Sequence, residues 1–355
     1  AAAGSWWPGR PAIVALRAPS DVPTTAFAWR PARCLAGLVV RPLFTYPAGV
    51  RNGGGVRDER VCYVLDESPR YADNAIMSAP LASKLDDRIN RLRIIAQAEP
   101  RLDGVLLYGS WTTGEADQYS DLEAYVYVYD DQVGSFDGRA FVEQLAPLKL
   151  AYTNMYGILA VVFDDLMRGE FHVAPANQGI DEIATWRGLV HLPDPNAAIL
   201  LDRNGRLAEA TACLRQPCRP DPVKTAQQIS SELANWTLSL AQILARGEIA
   251  RAHALMQTTI APQQLQLLRL LRGSTDHWLT PSRALERDVS VKDQSRYAVT
   301  TARLGESEVR RAAAASWQWS RELVAEAAEQ WGISMPHDLH HDITALLVAD
   351  HQSSH

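Results

Sequence analysis

The stretch that decides the fold reads Gly104-Val105-Leu106-Leu107-Tyr108-Gly109-Ser110, passes through ten residues, and resumes as Asp121-Leu122-Glu123-Ala124-Tyr125-Val126-Tyr127-Val128-Tyr129. The first piece is a short apolar run bounded by glycine, the pattern of a buried strand. The last alternates Glu123, Tyr125, Tyr127 and Tyr129 against Leu122, Ala124, Val126 and Val128, a period-2 strand with two unlike faces. A polar, Gly-containing connection joins them. Upstream, Leu81, Leu85, Ile89, Leu92 and Ile95 step by four, four, three and three, one face of a helix that ends at Glu99-Pro100. Downstream, further strands are expected at 148–153, 157–163 and 170–174.

Beyond about Asp202 the strand signals vanish. Asp221-Pro222 forms an N-cap and N1 pair, after which Ile229, Leu233, Trp236, Leu240 and Ile243 hold one face of a long helix that stops at Gly247. More helices are expected at 248–258, 262–272, 291–303, 306–331 and 337–350. The fold class is therefore α+β: a mixed sheet with helices, followed by an all-α bundle. The expected division is a catalytic domain over 77–200, a helical domain over 201–350 and a short tail at 351–355.

Residues 1–76 read differently, with nine Arg, no Lys, eight Pro, seven Gly and six acidic residues, a local charge of +3. No apolar period is sustained there, so the segment is expected to be poorly ordered or foreign to the enzyme body, which would begin near Met77. The remaining 279 residues carry 26 basic and 35 acidic side chains, so the net −6 of the chain averages two unlike pieces. An acidic body argues against nucleic acid as the partner, because phosphate backbones call for a basic face. No apolar run reaches the roughly 18 to 20 residues of a membrane span. The four cysteines, Cys34, Cys62, Cys213 and Cys218, make no disulfide framework or zinc motif, which suits reduced thiols in a cytoplasmic protein.

The chemistry concentrates around the opening stretch. Carboxylates at i and i+2 of a strand share one face, with Cα atoms about 6.5 to 7 Å apart. Asp121 and Glu123 are thus placed to converge on Mg²⁺, which favours carboxylate and phosphate oxygens. Gly109 lets a phosphate approach the backbone, and Ser110 adds a hydroxyl where a helix could begin, so the pair is a candidate nucleotide-phosphate turn. By spacing alone, the same residues also fit a helix cap and two surface carboxylates on an edge strand. A third carboxylate is wanted as general base and additional metal ligand. Glu170, opening a strand in Arg168-Gly169-Glu170-Phe171-His172, is the choice, with Asp164 and Asp165 as competitors in a turn; Asp117 is expected to shape the loop. Arg168 and Arg303 are cations that either reach a triphosphate or are solvated. His337, His340 and His341 stand at helical spacing with Asp338 and Asp342 in a polar helix, where exposure is the ordinary reading and metal binding the less ordinary one. The tryptophans of the second half, Trp236, Trp278, Trp317, Trp319 and Trp331, are expected mostly in the core.

The run Tyr108-Gly109-Ser110, Gly114-Glu115, Asp117-Gln118-Tyr119-Ser120-Asp121 and Glu123 resembles the lincosamide nucleotidyltransferases, the larger-enzyme group within the polymerase-β-like nucleotidyltransferase superfamily. The resemblance continues through Phe163-Asp164, Arg168-Gly169-Glu170-Phe171-His172, Arg246-Gly247-Glu248, Thr300-Thr301-Ala302-Arg303-Leu304 and His337-Asp338. It spans roughly 77–350 and omits 1–76. It implies a polymerase-β-like catalytic domain and transfer of AMP, or another NMP, from ATP or another NTP to a hydroxyl of lincomycin or clindamycin, inactivating the antibiotic. By the family pattern Asp121 and Glu123 match Mg²⁺ ligands, Glu170 matches the catalytic base, and Gly109 and Ser110 match the phosphate turn; a homodimer is also implied. Thr113 departs from the pattern, standing where a lysine is expected. An aminoglycoside nucleotidyltransferase shares the Gly-Ser and Ser-Asp-x-Glu pattern and is the alternative enzyme; a toxin–antitoxin-type module of the same fold is the non-antibiotic alternative.

Overall fold

The computed structural model describes residues 82–352 apart from 218, with side chains from 84 to 348. The expectation for residues 1–76 lies outside the described residues, as do those for Cys34, Cys62 and Cys218. Six strands form one sheet in the order β3-β4-β5-β2-β1-β6. They are β1 (Leu102–Leu107), β2 (Leu122–Val128), β3 (Leu148–Thr153), β4 (Leu159–Phe163), β5 (Arg168–Pro175) and β6 (Ile199–Asp202). β2 and β5 run parallel in the centre, and the other pairings are antiparallel, so the sheet is mixed as expected. Parallel neighbours need a crossover, and the β3–β4 hairpin with helix α2 (Gly138–Glu143) supplies it between β2 and β5.

The two faces of β2 are sorted by its alternation. Leu122, Ala124, Val126 and Val128 join Leu85, Ile89 and Leu92 of helix α1 (Ala82–Ala98) and Phe141 of α2 in one core. Tyr127 and Leu106 face the other way, into a core closed by α3 (Ala176–Glu182), α4 (Pro195–Ala198) and α5 (Arg206–Thr211). The short helices α2 to α5 and β6 were not legible in the sequence: β6 is only four residues long, and the polar run of α3 offers no long apolar period. β6 lies across the expected boundary at residue 200, and Leu207 and Leu214 pack in the sheet-side core.

The rest is helical: α6 (Pro222–Ala245), α7 (Ile249–Leu255), α8 (Ala261–Arg272), α9 (Leu285–Asp288), α10 (Val291–Ala298), α11 (Glu306–Trp331) and α12 (His337–Gln352). Asp221 caps α6 by accepting from Lys224 N–H at 2.8 Å, with Pro222 at the first position, as the sequence predicts. Ile229, Leu233, Leu240 and Ile243 enter a single core with Trp317, Trp319 and Leu323 of α11. Trp236, Trp278 and Trp331 pack partly buried against it.

Two helix boundaries differ from expectation for local reasons. The break expected before Pro262 is absent, because a π-helical turn over Met256–Ile260 carries the chain from α7 into α8. That wider spacing absorbs the missing proline N–H. α10 ends at Ala298 and not near 303, since the Thr300 and Thr301 hydroxyls donate to the carbonyls of Tyr297 and Ala298 at 2.7 Å. Such side-chain-to-backbone bonds compete with a further helical turn.

Candidate active site

The C-terminal end of β1 meets the N-terminal ends of β2 and β5, and the candidate residues gather there. Glu123 on β2 and Glu170 on β5 are direct register partners, on strands about 4.8 Å apart. Asp121 precedes β2 by one residue, on the Glu123 side of the alternation. The Glu123 carboxylate lies over Gly109, where φ is +79° and a methyl group would fall 1.7 Å from its Oε2. The glycine is thus required twice, for its backbone angle and for the space. Glu123 has its carboxyl pushed up to about 7, first by burial and then by the Asp121 and Glu170 charges; Arg168 and Arg283 oppose the shift. Arg168 stands between the other two carboxylates, 3.2 Å from Asp121 and 3.6 Å from Glu170, with its side chain 64% exposed. Among the described residues no three His, Cys, Asp or Glu side chains are gathered as a metal-holding group. That covers the histidines of α12 as well. His340 is buried edge-on to Trp317, while His337 and His341 are exposed.

The turn after β1 differs from the helix start suggested by the sequence. Thr112 N–H closes on Gly109 O, Gly114 N–H on Trp111 O and Glu115 N–H on Ser110 O, with Gly114 at φ +74°. The last two bonds form a Schellman closure, which ends the helical start within one turn. The turn is pinned on one side by Trp111 Nε1, which donates to Asp86 of α1 at 2.8 Å. The Ser110 hydroxyl is buried with no hydrogen-bond partner among the described residues, so it is available to a ligand oxygen. Asp117 shapes the following loop as expected, accepting from Tyr119 N–H at 2.9 Å. Asp165 is engaged elsewhere, in an ion pair with Arg88 of α1 at 3.2 Å, and Asp164 shares its β4–β5 turn.

Beneath the carboxylates the same sheet face carries an aromatic floor that sequence reasoning missed. His172 stacks on Tyr125 with centroids 4.2 Å apart, and Trp186 meets Tyr125 at 4.7 Å. The Tyr108 hydroxyl and His172 Nε2 are 3.0 Å apart. Burial brings His172 down to about 4, so its ring is neutral at neutral pH, and burial raises Tyr108. The signal was present as period 2: His172 lies two residues beyond Glu170, as Tyr125 lies two beyond Glu123. What was missing was the register that places the two strands side by side.

The helical half reaches the turn through Glu115. Its carboxylate meets His277 Nε2 at 2.8 Å, Arg283 at 3.1 Å and Arg287 at 3.7 Å. Behind it, His277 Nδ1 contacts Asp288 at 2.7 Å, and the fully buried Arg269 pairs with the same Asp288 at 3.0 Å. Arg303 is not part of this array; it is 90% exposed and paired with Glu308.

Residues 224–346 match the family of lincosamide nucleotidyltransferase-like C-terminal domains. The match takes in α6 to most of α12, so the resemblance read from the sequence is borne out for the helical half. No curated protein matches the chain in sequence. Among solved structures, an aminoglycoside 6-adenyltransferase from Bacillus subtilis is similar at 14% identity and a TM-score of 0.36, over 75% of this chain and 98% of that one. A nucleotidyltransferase-like protein from Exiguobacterium sibiricum is similar at 14% identity and a TM-score of 0.31, over 68% of this chain and 77% of that one.

Proposed function

We propose that the protein is an antibiotic-inactivating nucleotidyltransferase that moves AMP, or another NMP, from a nucleoside triphosphate to a hydroxyl of a lincosamide. The observation that carries the reading is the juxtaposition at Gly109. A carboxylate lies on the turn glycine, a second is its register partner, a third precedes it by two residues, and an unpartnered serine hydroxyl stands in the turn. The lincosamide acceptor rests on the helical-domain family match and on the motif resemblance.

The donor set has the chemistry Mg²⁺ takes, being all hard carboxylate oxygens, two of them now paired with Arg168. Asp121, Glu123 and Glu170 would hold the ion, and the exposed Arg168 side chain would swing clear. Bound there, the metal would supply charge neutralisation for the triphosphate and the departing pyrophosphate. The chain's own residues do the remainder. Gly109 gives the turn its positive φ and makes room for the Glu123 carboxylate, and Ser110 Oγ would donate to a phosphate oxygen. Glu170 accepts the proton of the acceptor hydroxyl as its oxygen attacks the α-phosphorus and the bond to the β-phosphate oxygen breaks. The aromatic floor of Tyr125, His172 and Trp186 offers an apolar surface beside the carboxylates, kept uncharged by the neutral His172.

Incubation with ATP, Mg²⁺ and clindamycin, followed by mass spectrometry, should yield the adenylylated drug and pyrophosphate. Asp121→Asn should lower the rate by about 100-fold or more; full activity in that variant overturns the metal assignment. Product with kanamycin and none with a lincosamide would move the acceptor to the aminoglycosides. The reading also includes a cytoplasmic homodimer, for which light scattering of the purified protein should return twice the chain mass.

A further inference from the structure

A triphosphate seated on the Ser110 turn would bring negative charge to a place that already holds three carboxylates. The cations that bear on Glu123 are Arg168, from the sheet, and Arg283, from the helical half. Arg168 lies on the carboxylate side of the site, paired with Asp121 and Glu170, which would hold the metal. Arg283 sits in the connection between α8 and α9, and its backbone is held from behind. Its carbonyl accepts from the fully buried Arg269 guanidinium, and its N–H donates to Thr280 O at 2.8 Å. From that base the side chain reaches forward, 45% exposed, to Glu115 Oε2 at 3.1 Å. Glu115 is the residue whose own N–H closes the turn on Ser110 O at 2.9 Å.

The present partner is easily given up. Glu115 is shared by His277, Arg283 and Arg287, so the departure of Arg283 leaves it with two partners and strands no charge. A guanidinium carries five N–H donors in a planar fork that suits phosphate oxygens bidentately. Arg287 is a poorer candidate, because its Nε is bonded to Asp288 at 2.9 Å.

We propose that Arg283 is the triphosphate-binding residue of the helical half, its guanidinium exchanging Glu115 for β- and γ-phosphate oxygens presented at the Ser110 turn. The assignment rests on the nucleotidyltransferase reading above, and it makes nucleotide binding a joint act of the sheet and the helical half.

The test is calorimetric titration of the full chain with α,β-methylene-ATP and, separately, AMP, each with Mg²⁺. The wild type should bind the triphosphate analogue more tightly than AMP. Arg283→Gln should weaken the triphosphate analogue by roughly 10- to 100-fold while leaving AMP within about threefold, and Arg283→Lys should fall between. Glu115→Gln keeps a hydrogen-bond partner for His277 and frees Arg283, so its triphosphate affinity should equal or exceed wild type. Equal triphosphate affinity in wild type and Arg283→Gln overturns the assignment while leaving the nucleotidyltransferase reading intact. A parallel loss in Glu115→Gln and Arg283→Gln also overturns it, showing a structural bridge in place of a phosphate ligand. Wild type that binds no triphosphate defeats the parent reading and the assignment together.

Discussion

Two glycines in one turn separate backbone need from steric need. Gly109 and Gly114 both have positive φ, at +79° and +74°. Around Gly114 an added methyl meets nothing within 4 Å, whereas at Gly109 it would overlap the Glu123 carboxylate. Gly114→Ala should therefore cost only the left-handed backbone penalty of about 1–2 kcal/mol, with NMP transfer within a few-fold of wild type. Gly109→Ala should carry the same backbone cost and also displace Glu123, lowering transfer by about 100-fold or more. Urea unfolding and the clindamycin assay on both variants check the contrast; equal activity would show that the position of Glu123 is immaterial. The Gly-Ser…Asp-x-Glu spacing was legible from the sequence, because it lies within one strand–turn–strand unit. The overlap of Gly109 with Glu123 was not, since it depends on how the turn folds back over β2.

At the scale of elements, the parallel pairing of β2 with β5 brings Glu170 alongside Glu123. Nothing in the chain between them specifies that register; it follows from burying Ala124, Val126, Phe171 and Val161 in one core. A second element-scale device is the connection from α8 to α9, organised around Arg269. That side chain is fully buried and donates to Pro281 O, Ser274 and Asp288, the last its sole ion pair among the described residues. Asp288→Asn leaves a buried guanidinium without its counter-charge, and should destabilise the protein by about 3 kcal/mol, read from urea midpoints. The helices themselves were largely legible, through their apolar faces and the Asp221-Pro222 cap. The π-turn at Met256–Ile260 was not, because a proline ordinarily marks a fresh helix start, and the wider turn that carries the helix on into Pro262 leaves no local signature.

Across the whole molecule, the clamp from Glu115 through His277 and Asp288 to Arg269 joins the candidate-site end of the sheet to the helices, and it carries a pH signature. Burial pushes the Asp288 carboxyl up, but hydrogen bonds from Arg287, Arg269 and His277 outweigh it and hold the group down at about 2. A carboxyl depressed on folding contributes stability above its ordinary value of 3.8, and that contribution is lost as pH falls toward 2. The expected loss is about 2 kcal/mol between pH 4 and 2. Chemical denaturation across that window should show a steeper acid decline in wild type than in Asp288→Asn; superimposable slopes would remove Asp288 from the account. Among the described residues no helix is long and apolar enough to cross a membrane.

Local information was sufficient for the α+β division, the period-2 face of β2, the capped start of α6 and the carboxylate motif, because each is written in residues within a few positions of one another. The tertiary structure alone decided three things: that Glu170 stands beside Glu123, that His172 and Trp186 pack on Tyr125 beneath them, and that Arg283 reaches Glu115 from the helical half. Those depend on strand register and on the packing of segments as far apart as Glu115 and His277. Register and packing are set by which apolar faces are buried together, a property of the assembled cores and not of any one stretch of chain.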